Sequence, residues 1–127
     1  MKVGVTGSRH ARPAETLERL RRKLVELGAT ELHHGDCVGF DEQSHEVAVN
    51  LGLRTVAHPP INPATRAFCE ADELREPLDY LFRNRKIVHS VDRMIAAPDG
   101  PEKQRSGTWS TVRYAKAQGV RGVILPW

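Results

Sequence analysis

Short apolar strands alternate with amphipathic helices along the whole chain, and this alternation is the feature that most restricts its fold. The strands are predicted at Lys2–Thr6, Glu31–His34, Arg54–Ala57, Met94–Ala97 and Gly122–Leu125. Parallel strands need crossover connections, which helices commonly supply. The order therefore predicts an α/β fold, with a five-stranded, mainly parallel sheet and helices on both faces.

The helices are predicted from leucine and valine spacing and from prolines and glycines at their ends. They begin near Pro13, Asp41, Pro77 and Thr108. The 127 residues fit a single domain. Residues 59–74 contain three prolines and show no periodic pattern, so we expect a loop or a lid there.

Composition narrows the class of protein. Hydrophobic residues make up 39% and charged residues 28%, as in ordinary soluble globular proteins. The net charge of +3 is small for a dedicated nucleic-acid binder. No apolar stretch is long enough to span a membrane, and the first residues resemble a buried strand rather than a signal peptide. Cys37 and Cys69 lack a zinc-site spacing, so we expect free thiols, a cytoplasmic location, and neither metal nor cofactor.

A turn of small residues, Ser106-Gly107-Thr108, follows the fourth predicted strand and starts the last helix. A helix N-terminus offers unpaired N–H groups and the positive end of the helix dipole, so this turn predicts an anion site. Arg83-Asn84-Arg85 lies upstream and supplies cations suited to phosphate. Together these residues predict a ligand that carries phosphate.

The turn after the first strand contains Gly7, Ser8 and Arg9. The glycine permits close backbone approach, the hydroxyl can donate, and the arginine can reach a phosphate. A purely structural turn explains the same residues equally well.

The turn after the second strand contains Gly35, Asp36 and Gly39, followed by Asp41. Ligands of open parallel sheets bind beyond the carboxyl ends of the strands, where acidic groups accept hydrogen bonds from ribose. We therefore expect Asp36 to contact ribose and Asp41 to cap the following helix. His34, in the preceding strand, is expected to bind no metal.

Arg85 shares an apolar helical face with Leu78, Leu81, Phe82 and Val88 in the predicted third helix. A buried arginine needs a carboxylate or a ligand anion. Two interpretations stay open, namely contact with the ligand and an ion pair with Asp92 or Asp99.

Four stretches resemble the SLOG superfamily, a Rossmann-like group that includes DNA-processing protein A and the LOG-type cytokinin phosphoribohydrolases. They are Gly4–Arg9, His34–Asp41, Arg83–Lys86 and Ser106–Thr111. The Gly-x-x-Gly-x-Asp turn and the Arg-Asn pair look most like its small, stand-alone branch. The resemblance implies a Rossmann-like fold and a nucleotide-related ligand.

LOG-type enzymes carry Pro-Gly-Gly-x-Gly-Thr-x-x-Glu, whereas Thr111 occupies the glutamate position here. A threonine cannot replace a catalytic carboxylate, so LOG-type hydrolysis is not expected. The predicted function is binding of a nucleotide or nucleotide-derived ligand. Two alternatives stay open: a nucleotide N-glycosidase that uses Asp36 or Asp99, and a binder of single-stranded nucleic acid.

A lone tryptophan at the end of the sequence, Trp127, is expected to be buried against a partner surface, and related folds are often dimeric. We therefore also expect a homo-oligomer.

Overall fold

Six parallel strands form one sheet and four helices cover it in the computed structural model, which describes residues 1–127. The strands are β1 (Lys2–Gly7), β2 (Glu31–His34), β3 (Arg54–Ala57), β4 (Glu73–Leu74), β5 (Arg93–Ala97) and β6 (Arg121–Ile124). The helices are α1 (Ala14–Glu26), α2 (Phe40–Asn50), α3 (Tyr80–Ser90) and α4 (Gly107–Ala117). The predicted α/β fold is confirmed, with six strands rather than five.

The strand order is β4-β3-β2-β1-β5-β6, and every neighbouring pair is parallel. The chain first builds outward from β1 through β2 and β3, and later returns to the other side of β1 with β5. The order therefore reverses between β1 and β5. The connections after these two strands diverge, which opens a crevice at their carboxyl ends.

Helices cover both faces of the sheet because residues along each strand alternate between them. Val3 and Val5 of β1 pack against α1 and α2, in a core with Leu20, Leu24 and Phe40. On the other face, α3 and α4 enclose Ile87, Val88, Met94 and Ala115. No helix combines the length and the apolar content needed to cross a membrane.

Residues 59–74 contain more regular structure than the sequence predicted. A single 3₁₀ turn covers Pro63–Thr65, and β4 follows at Glu73–Leu74, paired with Val56 and Ala57 of β3. A two-residue strand is too short to give a periodic pattern, which is why the sequence indicated only a loop.

The third helix begins at Tyr80, three residues after Pro77. Leu78 lies before the helix and bridges to Pro60, and its backbone N–H donates to the Pro59 carbonyl at 3.2 Å. Leu78 therefore does not mark the buried face of α3, and the expected position of Arg85 depended on that face.

Candidate functional site

A cavity of about 440 Å³ opens at the carboxyl ends of β1, β2 and β5. Nine of the twelve residues predicted for the site line it: Gly7, Ser8, Arg9, Gly35, Arg83, Asn84, Ser106, Gly107 and Thr108. Asp36, Gly39 and Arg85 lie outside it. The structure also brings in side chains that the sequence did not indicate, including Tyr80, Lys103 and Arg105.

The N-terminus of α4 forms one wall of the cavity. Ser106 is the N-cap, and its hydroxyl accepts the N–H of Trp109 at 3.2 Å. This leaves the N–H groups of Gly107 and Thr108 without an acceptor in the protein. The Thr108 side chain is buried and its hydroxyl has no protein partner, while a Cβ added at Gly107 would meet no atom within 4 Å. The wall thus presents free donors beside open space.

Arg83 is the buried arginine of α3, with 6% of its surface exposed. Its Nη1 donates to the carbonyls of Gly35 and His58, and its Nε donates to Asn84 at 2.7 Å. Nη2 has only the Cys37 sulfur, 3.7 Å away. The guanidinium forms no ion pair with a carboxylate, so a buried positive charge faces the cavity with donor capacity remaining on Nη2.

The expected inward position of Arg85 is wrong. Arg85 is exposed, and its guanidinium carbon lies 5.1 Å from the centre of the Tyr114 ring. The buried residues of α3 are Arg83, Ile87 and Val88, whereas Leu81 and Phe82 face outward. The four-residue spacing between Arg83 and Ile87 was the signal that could have identified the inward arginine.

Asp36 does not line the cavity, so its position does not support the expected ribose contact. Its fully buried carboxylate accepts from Arg66 Nε at 2.8 Å and from the Cys69 N–H at 2.9 Å. Its carbonyl accepts the Ala67 N–H at 2.8 Å. Asp36 therefore clamps the 66–69 segment to the turn after β2.

The segment 59–74, for which the sequence predicted a loop or a lid, contributes no residue to the lining of the cavity. The structure therefore does not support a lid over the cavity.

Gly39 and Gly7 allow two turns to touch. Gly39 has φ 93°, and a Cβ there would overlap the Arg9 backbone. A Cβ at Gly7 would overlap the Phe40 ring, and the Phe40 N–H donates to the Ser8 carbonyl at 3.0 Å. These glycines are needed for packing within the protein, which agrees with the structural interpretation of the turns.

Asp41 lies inside the cavity instead of capping α2, whose N-cap is Gly39. Its carboxylate accepts the Cys37 N–H at 3.3 Å. Burial raises the pKa of Asp41 to about 6, and the nearby charge of Arg83 opposes this shift. The sequence predicted a capping role for Asp41 and therefore missed a buried acid close to a buried cation.

The remaining basic residues of the cavity also lack carboxylate partners. The guanidinium of Arg9 lies 4.7 Å from the centre of the Tyr80 ring, a cation–π contact. Lys103 and Arg105 are exposed on the loop between β5 and α4, and neither forms an ion pair. By contrast, Glu102 of this loop pairs with Arg113 of α4 at 2.9 Å. Uncompensated positive charge is thus concentrated in the cavity.

Two pairs of buried histidines connect β2 with α2 and with the residue after β3. His33 and His58 are joined at 2.8 Å, and His34 Nε2 lies 3.2 Å from His45 Nδ1. The ligand atoms of His34, His45 and Cys69 all lie within 4.8 Å of one another. However, His34 Nδ1 accepts the Asp36 N–H at 2.9 Å, so the neutral ring carries its proton on Nε2, toward His45. A metal would have to displace that proton, and we propose none here.

These titratable groups predict how stability depends on pH. Burial lowers the pKa of His34 and His58 from 6.5 to about 3. Below pH 6.5 these two histidines therefore bind protons in the unfolded chain but not in the native state. Asp41 acts in the opposite sense, because its raised pKa lets the native state bind a proton near pH 6. The destabilisation from the two histidines is larger than the stabilisation from Asp41. We therefore expect the free energy of unfolding to fall by about 2 kcal/mol from pH 7 to pH 5. Urea titrations at both pH values measure it, and equal or greater stability at pH 5 would contradict the assignment.

No protein-family model and no curated protein matches the chain. Solved structures do resemble it. DNA processing protein A from Streptococcus pneumoniae is 22% identical, with a TM-score of 0.73, over 99% of this chain and 50% of its own. A Moco carrier protein from Chlamydomonas reinhardtii is 22% identical, with a TM-score of 0.72, over 98% of this chain and 75% of its own. A molybdenum cofactor binding protein from Rippkaea orientalis is 24% identical, with a TM-score of 0.75, over 97% and 74%. The chain therefore shares a Rossmann-like α/β fold with these proteins, which is the fold that the resemblance in its motifs implied.

Proposed function

We propose that the protein binds a nucleotide or a nucleotide-derived phosphate ligand in the cavity at the carboxyl edge of the sheet. The phosphate accepts hydrogen bonds from the free N–H groups of Gly107 and Thr108 and from the Thr108 hydroxyl. Arg83, Arg9 and the flexible side chains of Lys103 and Arg105 neutralise its charge.

Arg83 is the observation that carries this proposal. Burying a cation that forms no ion pair is unfavourable, and Asp41 lies near this one without pairing with it. The carbonyls of Gly35 and His58 orient the Arg83 guanidinium toward the cavity. A ligand anion supplies the missing charge. The uncapped N–H groups of α4 on the same cavity support the same ligand chemistry.

The named ligands of the structural neighbours fit a binding role. Two neighbours are named for the molybdenum cofactor and one for DNA processing. Since their identity to this chain is below 25%, these names suggest compounds to test rather than an assignment. The molybdenum cofactor and short single-stranded oligonucleotides therefore belong in the ligand screen beside mononucleotides, dinucleotides and cyclic nucleotides.

A nucleotide N-glycosidase is the second candidate, because two carboxylates, Asp41 and Asp99, line the cavity. Glycosidic cleavage uses a carboxylic acid with a raised pKa together with a second carboxylate, and burial raises the pKa of Asp41 to about 6. Thr111, at the position of the LOG-type glutamate, donates its hydroxyl back to the Gly107 carbonyl at 2.9 Å. Any hydrolysis here would therefore have to depend on Asp41 or Asp99.

A pair of glycine substitutions tests the binding proposal. Gly107→Val introduces bulk where the phosphate would lie, and open space around the Cβ lets the fold tolerate it. We expect nucleotide affinity, measured by calorimetry on the best ligand from a thermal-shift screen, to fall by about tenfold or more. Gly100→Val is the matched control, because a Cβ at Gly100 also meets nothing within 4 Å and Gly100 does not line the cavity.

Equal affinities of the two variants would contradict a phosphate site at the start of α4. Chromatography of the same mixtures separates binding from catalysis, since free base at many turnovers per protein would favour the N-glycosidase. Oligonucleotide affinity that falls steeply with salt would favour the nucleic-acid binder instead.

We also propose that the protein forms a homo-oligomer through the outward face of α3. Leu81 and Phe82 leave 51% and 56% of their surfaces exposed there. Trp127 packs edge-on against Trp109 at 6.2 Å yet stays 57% exposed, so it has only partial cover within the chain. Phe82→Glu should shift light scattering from a dimer or larger species to 14.2 kDa without loss of thermal stability. A wild-type protein that is monomeric at high concentration would contradict this proposal.

A reducing, cytoplasmic location remains a proposal and rests on the cysteines. Cys37 and Cys69 are both free thiols. Cytoplasmic proteins generally keep their thiols reduced.

A further inference from the structure

An exposed carboxylate stands at the rim of the basic cavity. Asp99 lies two residues beyond the end of β5 and lines the cavity together with Arg9, Lys103 and Arg105. It forms an ion pair with none of them. An ionised carboxylate only accepts hydrogen bonds and repels phosphate, so anion binding alone does not account for it.

Ser8 holds this carboxylate in one place. The Ser8 hydroxyl donates to Asp99 Oδ2 at 3.2 Å and accepts the His10 N–H at 2.9 Å, which fixes the direction of its proton. The Ser8 N–H in turn donates to the Ala97 carbonyl at 3.3 Å, which ties the end of β1 to β5. The hydrogen bonds of the Ser8 hydroxyl therefore serve to position Asp99. The second carboxylate oxygen of Asp99, Oδ1, can still accept hydrogen bonds from a ligand.

Asp99 is also the acid in this region with the most acceptor capacity left. Asp36 is fully buried and bonded to Arg66 and Cys69. Asp41 is buried and accepts from the backbone of the turn after β2. Asp99 alone is solvent-accessible at the cavity rim, with a single protein donor.

We propose that Asp99 accepts hydrogen bonds from sugar hydroxyls of the bound ligand and makes the site selective for phosphorylated ligands that carry a vicinal diol. This inference rests on the proposed nucleotide site and adds its sugar specificity. A group that hydrogen-bonds a ligand hydroxyl discriminates against the analogue without it, because the acceptor then loses its water without gaining a donor. The sequence assigned this role to Asp36, whereas the geometry points to Asp99.

Paired nucleotides test the proposal. Calorimetry compares the four ribonucleoside 5′-monophosphates with their 2′,3′-dideoxy counterparts, which keep base and phosphate and lack both hydroxyls. The wild-type protein should bind the best ribonucleotide about tenfold more tightly than its dideoxy partner. In Asp99→Ala this ratio should fall to about one, mostly through weaker ribonucleotide binding.

Glu102→Ala is the matched control. It removes one negative charge from the same loop, but Glu102 pairs with Arg113 and does not line the cavity. The control should keep the wild-type ratio. A wild-type ratio near one, a ratio retained in Asp99→Ala, or a ratio equally lost in Glu102→Ala would overturn the proposal while leaving the phosphate site standing. Absence of binding by every monophosphate would also overturn the sugar specificity, and absence of binding by every compound in the ligand screen would overturn the proposed function as well.

Discussion

Replacing Asp36 by alanine is expected to lower the free energy of unfolding by about 3–5 kcal/mol, because the carboxylate belongs to an ion pair and is fully buried. The substitution removes the carboxylate that pairs with Arg66, whose side chain is only 19% exposed. It also leaves the Cys69 N–H without its acceptor. Because these bonds hold the 66–69 segment against the turn after β2, the segment should also become more accessible to protease.

Three further variants separate the contributions. Asp36→Asn preserves the shape and suits the positive φ of 52°, so it should cost clearly less than alanine. Arg66→Ala in the Asp36→Ala background should add little, since the pair is already broken. Asp99→Ala, which removes an exposed carboxylate, should leave stability nearly unchanged. Chemical denaturation measures all four, and a loss below about 1 kcal/mol for Asp36→Ala would refute the clamp.

Replacing Arg83 by methionine is expected to weaken nucleotide binding by about 2–3 kcal/mol, or roughly 30- to 150-fold. Methionine fills much of the same buried volume but carries no charge and donates no hydrogen bond. The variant should also unfold more easily, because the Gly35 and His58 carbonyls lose their donor. Affinity is therefore measured by calorimetry well below the melting temperature of the variant.

Arg85→Met is the matched control on the same helix. Arg85 lies outside the cavity and contacts Tyr114, so its removal should change affinity by less than about 0.5 kcal/mol. Arg83→Lys asks a second question, since it keeps the charge without the planar guanidinium. Unchanged affinity in Arg83→Met together with lowered stability would mean that the arginine only holds the turn after β2.

The fold was predictable because its signals are local and repeated. Strands β2 and β3 have the predicted bounds, and the positions of the glycines and prolines bring the predicted helix ends within a few residues of those observed. The missing strand, β4, has two residues and depends on pairing with β3 rather than on its own pattern. The carboxyl-edge location of the cavity followed from parallel topology alone.

The individual site residues were less predictable because their directions depend on tertiary contacts. The apolar pattern of α3 included Leu81 and Phe82, which face outward in the structure. Because the pattern placed them on the buried face, it predicted that Arg85 rather than Arg83 points inward. Similarly, nothing local to Asp36 indicates that Arg66, thirty residues later, takes its carboxylate. The turn residues at the start of α4 were predictable because a helix N-terminus is a local feature; they line the cavity, and their binding of phosphate stays a prediction.

In the proposed complex, the phosphate of the ligand lies between Arg83 and the first residues of α4. A crystal structure of the protein with its best-binding nucleotide tests this most directly. We expect phosphate oxygens within hydrogen-bonding distance of the Gly107 and Thr108 N–H groups and of Arg83 Nη2. A nucleotide whose phosphate lies elsewhere, such as on the outer surface near Arg85 and Tyr114, would contradict it.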